Sequence, residues 1–351
     1  MKQQFDVSVI ISTYNRCDLL PDALESVLAQ RTGDVRYEVI LVDNNSTDRT
    51  RQVVESLIER GHTNLRYVFE GKQGLSHGRN AGIANSNAPI ITFTDDDVRA
   101  STDWVANIVR VFDAHPEVDC VGGKVLPRWK SQPPAWLTRD HWSPLALVDH
   151  GDTSFYVNAE NPICLVGANL SFRREVFEQV GLFASEFQRV KDGIGSTEDH
   201  EMHLRLWSTG RQGFYVPDIV VTAEVQAERL TKAYHRRWHT GHGKYCSLMR
   251  LNEITGSSGR QTFDVTLFGA PAWLYRELIS EGRRWLAAAV RRRESLSFQH
   301  ENNLRYFTSY IHKRYEQNAA EQKRSHLAEL KRFITSMLRK KIRSESLTQI
   351  P

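Results

Sequence analysis

Apolar and polar positions alternate in blocks along the first third of the chain. Residues 7–12 form a β-branched run of the kind expected for a strand buried on both faces. After Asp18, a residue able to cap a helix, the apolar positions Leu20, Leu24, Val27 and Leu28 recur at helical spacing. A second buried strand over 38–42 ends at Asp43. Ser46 or Thr47 then caps a helix that carries Val53, Val54, Leu57 and Ile58 on one side. Residues 65–69 and 90–94 read as two more strands, and 103–115 as another helix. This βαβαβ rhythm predicts an α/β chain: a doubly wound, mostly parallel sheet with right-handed crossovers and helices on both faces.

The pattern changes after residue 126. Trp129, Trp136 and Trp142 stand among Pro127, Pro133, Pro134 and Pro144, which predicts an irregular, aromatic-rich loop over 127–152. Strand character returns over 166–172, a helix over 198–209, and a strand-like run over 214–223 that Pro217 breaks. From Arg229 the chain reads as helical and basic to its end.

Charge divides the chain at about the same place. From Gln226 onward there are 24 Lys and Arg against 11 Asp and Glu; the whole-chain totals of 46 and 42 leave 22 against 31 before it. An acidic body followed by a basic extension suggests that the extension meets an anionic membrane surface, a phosphorylated substrate or nucleic acid. Nothing at the N-terminus reads as a signal peptide, and no apolar run approaches the ~20 residues of a membrane span. Cys17, Cys120, Cys164 and Cys246 are scattered without a CxxC pair, which suits a reduced, cytoplasmic protein and points away from zinc.

Open parallel sheets bind ligands beyond the carboxyl ends of their strands. The ends here are Ser12-Thr13-Tyr14-Asn15-Arg16, Asp43-Asn44-Asn45-Ser46-Thr47-Asp48 and Asp95-Asp96-Asp97. Turn chemistry alone also favours Asp, Asn and Ser there. Three adjacent carboxylates repel, so a fold keeps them together when a cation or strong donors offset the charge. Their hard oxygens select Mg²⁺ or Mn²⁺. In an extended segment Asp95 and Asp97 share a side while Asp96 faces elsewhere. A second carboxylate pair, Glu198-Asp199, follows Ser196 and Thr197, either of which is able to cap the next helix. The pair serves either the helix dipole or as a general base. His235, His239 and His242 fall at i, i+4 and i+7, and with Arg236 and Arg237 they form either a basic helix face or an anion-steadying one.

The order VSVIISTYNR, LVDNNSTD, GLSHGRNAGI, FTDDDV and STEDHEMHLRLWSTG resembles the family 2 glycosyltransferases over about residues 5–225. The resemblance implies a GT-A, Rossmann-like catalytic domain over 1–225, with a donor half to about 125 and an acceptor half from about 126. A helical basic extension would occupy 226–351. It implies single-sugar transfer from a nucleotide sugar, a UDP-sugar first, to a saccharide or lipid-linked acceptor, with inversion, in cell-surface polysaccharide or glycolipid assembly. The implied donor set is Thr13, Tyr14, Asn15, Arg16, Asp43, Arg79, Asn80, Asp95 and Asp96. The implied metal ligands are Asp95 and Asp97, holding Mg²⁺ or Mn²⁺, and the implied base is Asp199 of the Glu198-Asp199 pair. The expected location is cytoplasmic with peripheral contact at the inner face of the membrane, and no nucleic acid is an expected partner. Three positions depart from the family pattern. Asn44-Asn45 replace acidic residues, Ala223-Glu224 stand where many members carry a His, and Tyr234 replaces the Gln of the QxxRW signature of processive synthases. The rival readings are a nucleotidyltransferase, for which the loop after the first strand lacks the expected Gly- and Arg/Lys-rich sequence, and a non-catalytic binding protein.

Overall fold

The structure is a computed structural model and describes residues 5–188, 190, 193–195, 197–250 and 265–321. Its first compact unit runs to Pro134 and resumes from His141 to Leu230; the second comprises Ala135–Asp140 and the chain from Thr231 on.

In the first unit, β1 (Val7–Thr13), β2 (Tyr37–Asp43), β3 (Leu65–Phe69) and β4 (Ile90–Asp95) are all parallel. They are joined by α1 (Leu20–Leu28), α2 (Thr50–Glu59) and α3 (Leu75–Asn85). Their order is β3-β2-β1-β4, so strand order reverses between β1 and β4. That reversal opens a crevice at the strand ends where ligands bind in such sheets. Beyond β4 the sheet continues through β8 (Leu170–Arg173), β6 (Cys120–Trp129), β9 (Gly213–Val225) and β5 (Val98–Ala100), with β7 (Phe155–Val157) also on β9. Among these added pairs only β6–β9 is parallel. The remaining helices are α4 (Trp104–Ala114), α5 (Arg174–Gln179) and α6 (Glu198–Ser208).

Helix α3 owes its position to two glycines one turn apart. A methyl on Gly78 would stand 2.5 Å from Ser12 Oγ, and one on Gly82 would overlap Ile10, so both let the helix backbone lie against β1. Gly74 precedes the helix at φ 142°, a conformation that L side chains rarely adopt. The core on this side gathers Ile10, Ile40 and Ile91 with Phe93, Phe172, Phe177 and Phe183. The last four pack as edge-to-face and tilted rings, with Phe93 edge-on to Phe183 at 5.3 Å.

Several local expectations are corrected. Helix α1 begins at Leu20 without a side-chain cap from Asp18. Neither Ser46 nor Thr47 caps α2; Asp48 instead accepts from the Thr50 N–H and hydroxyl. The 127–152 loop begins later than expected, because β6 extends to Trp129. Residues 167–169 form a 3-10 turn before β8, so the strand expected over 166–172 starts only at Leu170. Pro217 does not break β9: Tyr215 faces Gly122 while Val220 faces Lys124, so the prolyl residue sits in an irregularity between the two registers.

The second unit contains α7 (Lys232–Leu248), a short antiparallel pair β10 (Thr266–Leu267) and β11 (Ala270–Pro271), α8 (Ala272–Val290) and α9 (Glu294–Glu321). The hairpin interrupts what the sequence presented as continuous helix. Thr231 caps α7 by accepting from the Tyr234 N–H. His235 is buried edge-on to Trp136, and His242 stacks on Trp238 at 4.4 Å. Glu281 of α8 accepts from Arg284, His300 and Asn303; burial raises its pKa, but these bonds outweigh it and hold the carboxyl below its ordinary value. Among the described residues, no helix is long and apolar enough to cross a membrane.

Candidate functional site

The polar strand ends meet at the β1–β4 reversal. Thr13 closes β1 and donates its hydroxyl to Asp96 across the crevice at 2.7 Å. The extended alternation expected over Asp95–Asp97 stops at Asp95, because β4 ends there and Asp96–Asp97 form a turn into β5. Asp96 therefore turns inward and is buried, whereas Asp95 and Asp97 are half-buried. Arg16 approaches both turn residues, donating to Asp97 at 2.8 Å and lying 3.8 Å from Asp96. Burial, with the charges of Asp97 and Asp95 adding to it, pushes the Asp96 carboxyl up to about 6, against the opposing pull of Arg16 and Thr13. Arg229, from the turn Ala227–Leu230 after β9, stands 3.6 Å from Asp97 on the same carboxylate oxygen that Arg16 uses. The adjacent Glu224 donates its N–H to the Asp97 carbonyl, while its carboxylate faces Lys130 at 3.1 Å.

Tyr14 and Asn15 occupy the turn after β1. Asn15 is exposed at φ 51°; its N–H donates to Ser46 Oγ and its side-chain oxygen accepts from the Thr47 N–H, tying the first and second strand ends together. Asp43 is buried at the end of β2, where its carboxylate accepts from the Ser46 N–H and the Tyr67 hydroxyl, each at 2.8 Å. Asn44 is spent on structure: its amide donates to the Glu70 and Lys72 carbonyls and accepts from the Gly74 N–H.

Arg79 is the hub on the other side. It is buried, with its guanidinium over the rings of Phe93 and Phe183. Its Nη1 donates to Asp199 at 2.7 Å and lies 3.5 Å from Glu198. Burial alone would lower the Arg79 pKa, but the charges of Asp199, Glu198 and Asp95 outweigh it and hold the group protonated. Asp95 thus stands within electrostatic reach of both Arg16 and Arg79. The second oxygen of Asp199 accepts from the Gly167 N–H at 2.9 Å, and the Asp199 carbonyl meets Nδ1 of buried His203 at 2.7 Å. Of the three charged groups here, Asp199 is the one that reaches solvent, with 18% side-chain exposure against 6% for Glu198 and 5% for Arg79. Asn80 does not join this cluster through its amide, which clamps Phe183 by donating to its carbonyl and accepting from its N–H. Thr197 stands at the N-cap of α6 without a side-chain cap bond.

Residues 8–181 match the family described as Glycosyl transferase family 2. The chain belongs to the family 2 glycosyltransferases. Among relatives of this glycosyltransferase, it is 28% identical over 213 residues to a glucosyl-dolichyl phosphate glucuronosyltransferase of Haloferax volcanii, covering 60% of this chain and 66% of that protein. It is 24% identical over 318 residues to an O-antigen chain rhamnosyltransferase of Salmonella typhimurium, covering 87% and 94%. For two other curated relatives the match spans only about half of their length, 52% and 55%. A mannosyltransferase of Pyrobaculum calidifontis, solved with GDP-Man and Mn²⁺, superposes with a TM-score of 0.58 at 19% identity over 89% of this chain and 88% of its own. That likeness establishes the GT-A fold.

Four positions at the site escaped sequence reading: Tyr67, Gly167, Gln188 and Arg229. Gln188 accepts from the Ser76 N–H at the start of α3, a cap supplied from 112 residues away. Gly167 lay inside an apparent strand with nothing to mark it. A methyl there would overlap the Arg79 guanidinium and stand 2.8 Å from Asp199 Oδ1. Since Arg79 is held against two rings and two carboxylates, Gly167→Ala is expected to destabilise the glycosyltransferase by about 1–3 kcal/mol, as overpacking does. Denaturant unfolding measures it; wild-type stability would mean that Arg79 moves aside freely.

Proposed function

We propose that this glycosyltransferase moves one sugar from a nucleoside diphosphate sugar, a UDP-sugar first, to an acceptor hydroxyl with inversion. The acceptor would be a saccharide or lipid-linked glycan in the assembly of a cell-surface polysaccharide or glycolipid. The observation that carries the reading is the Asp199 carboxylate, fixed by Arg79 and the Gly167 N–H yet still open to solvent, within reach of the same arginine that senses Asp95. A carboxylate so held is oriented, as a base for an acceptor hydroxyl must be. Glu198, more deeply buried, would add negative charge that fixes Arg79.

On the donor side, Asp43, steadied by Ser46 and Tyr67, would face the base with Tyr14, while Thr13 would hold Asp96 in place. Arg16 and Arg229 would supply positive charge toward the diphosphate. Asp95 and Asp97 would hold Mg²⁺ or Mn²⁺. Their fit lies in hard oxygen donors whose charge already draws two guanidinium groups. Among the described residues no group of three His, Cys, Asp or Glu side chains forms a metal site, so donor phosphates would complete the coordination, a common arrangement for Mg²⁺. When bound, the ion would neutralise charge on the departing diphosphate. The names of the relatives support the pathway: one acts on a glucosyl-dolichyl phosphate, the other in O-antigen chains. The protein would work in the cytoplasm, peripherally at the inner face of the membrane.

The test is a screen of UDP-, GDP- and dTDP-linked sugars for hydrolysis with Mn²⁺ or Mg²⁺, alongside calorimetric titration of the free diphosphates. One UDP-sugar is expected to turn over, with UDP binding strengthened by the ion. If no nucleoside diphosphate binds with either ion present, the reading fails. Turnover of a GDP-sugar alone would keep the reaction and change the base.

A further inference from the structure

Helix α8 is unusual in how little of it is covered. Its buried residues are Ala272, Leu274, Glu281 and Ala288, and the last three, seven residues apart, make a single narrow seam. The rest of its circumference carries large apolar side chains in the open: Ile279 is 53% exposed, Trp285 40%, Leu286 58% and Val290 75%. At 3.6 residues per turn, Ile279, Leu286 and Val290 fall within about 40° of one another and form one stripe, with Arg283 at its edge. On the neighbouring side of the helix, Tyr275 and Leu278 line an apolar groove of about 410 Å³ with Phe268, Ile311 and Tyr315.

Charge decides what such a face meets. Arg283, Arg284, Arg291, Arg292 and Arg293 are all exposed. The sole acid between Ile279 and Arg293 is Glu281, which is buried and engaged by Arg284, His300 and Asn303. The open face therefore presents apolar bulk and positive charge together, and the exposed Glu294 that follows Arg293 is paired with Lys232 at 2.6 Å. An acidic protein or a nucleic acid would satisfy the arginines but would leave Leu286 and Val290 in water. A bilayer interface satisfies both, since the apolar residues enter the acyl boundary while arginines reach up to the headgroups.

We propose that the α8 stripe formed by Ile279, Leu286 and Val290, with Arg283 and Arg291–Arg293, docks the protein on anionic lipid. The inference deepens the proposed peripheral location by naming its surface, and it rests on glycosyl transfer only for the reason that a membrane is present. Such a face would bring the enzyme to a lipid-linked acceptor without a spanning helix.

Co-sedimentation of the full chain with vesicles tests it, using phosphatidylcholine alone and phosphatidylcholine mixed with phosphatidylglycerol. The protein is expected to pellet with the mixed vesicles at low salt, to be released by high salt, and to stay in the supernatant with phosphatidylcholine alone. The variant Arg291→Glu/Arg292→Glu/Arg293→Glu should bind at least about tenfold more weakly, since each basic residue near the surface contributes appreciably. Leu286→Ser/Val290→Ser should also weaken binding with its arginines intact, and circular dichroism should report both variants as folded. The proposal is overturned if wild-type protein stays in the supernatant with anionic vesicles at low salt, or if neither variant changes binding. It is also overturned if light scattering finds a dimer that Leu286→Ser/Val290→Ser dissociates, because the stripe then belongs to a second copy. Donor hydrolysis in solution, read in parallel, separates the two claims. Both variants should keep it, and its absence in the wild type counts against the transferase reading and not against the docking face.

Discussion

Asp199→Asn is expected to slow sugar transfer by roughly two to four orders of magnitude, the usual worth of a general base. The substitution keeps the size of the side chain and a partner for Arg79 or Gly167, but removes the charge that takes the proton. Donor affinity, measured as calorimetric UDP binding with Mn²⁺, should barely change. Glu198→Gln separates the two carboxylates. Glu198 lies 3.5 Å from Arg79 and is nearly buried, so its loss should act through the position of Arg79 and cost less than the loss of Asp199. An active Asp199→Asn beside an inactive Glu198→Gln would reverse the assignment.

Asp97→Asn should be nearly as severe. If Asp97 is the principal ligand of the ion, losing its charge removes several kcal/mol of stabilisation from the departing diphosphate, roughly a thousandfold or more in rate. EDTA should have the same effect on the unaltered enzyme, and added Mn²⁺ should reverse it. The variant should remain folded by circular dichroism. Arg16 and Arg229 both lie on the Asp97 carboxylate, which supplies a second measurement. If activity survives EDTA while Asp97→Asn is inactive, Asp97 acts by placing those two arginines and the ion leaves the mechanism. Near-normal turnover of Asp97→Asn would remove both.

The amino-acid sequence by itself determined β1 to β4 as short strand-like runs and α1 and α2 by apolar residues that repeat at 3.6, both of which are local signals, whereas α3 carries no such repeat and was not read. It also marked the polar residues at the ends of β1, β2 and β4, since nothing but a turn or a site tolerates Thr13, Asp43 or three consecutive aspartates after an apolar run. What those residues touch was decided elsewhere. Arg79 lay in a stretch that was not read as a helix, and its partner Asp199 lies 120 residues away. Asp96 was expected to face away from its neighbours; the strand stops at Asp95, two residues short of the Asp97 that the alternation assumed, and Arg16 gathers both turn carboxylates. The other half of the sheet was illegible in order, because β8, β6 and β9 find their neighbours across long, irregular connections and partly antiparallel. The second donor to Asp199 was invisible altogether, since Gly167 contributes only a backbone N–H and the space left by a missing side chain. Local periodicity writes an element into the sequence; a hydrogen bond between a backbone amide and a distant carboxylate leaves no periodic trace, and only the packing of α3 and α6 around Phe93 and Phe183 brings the two ends together.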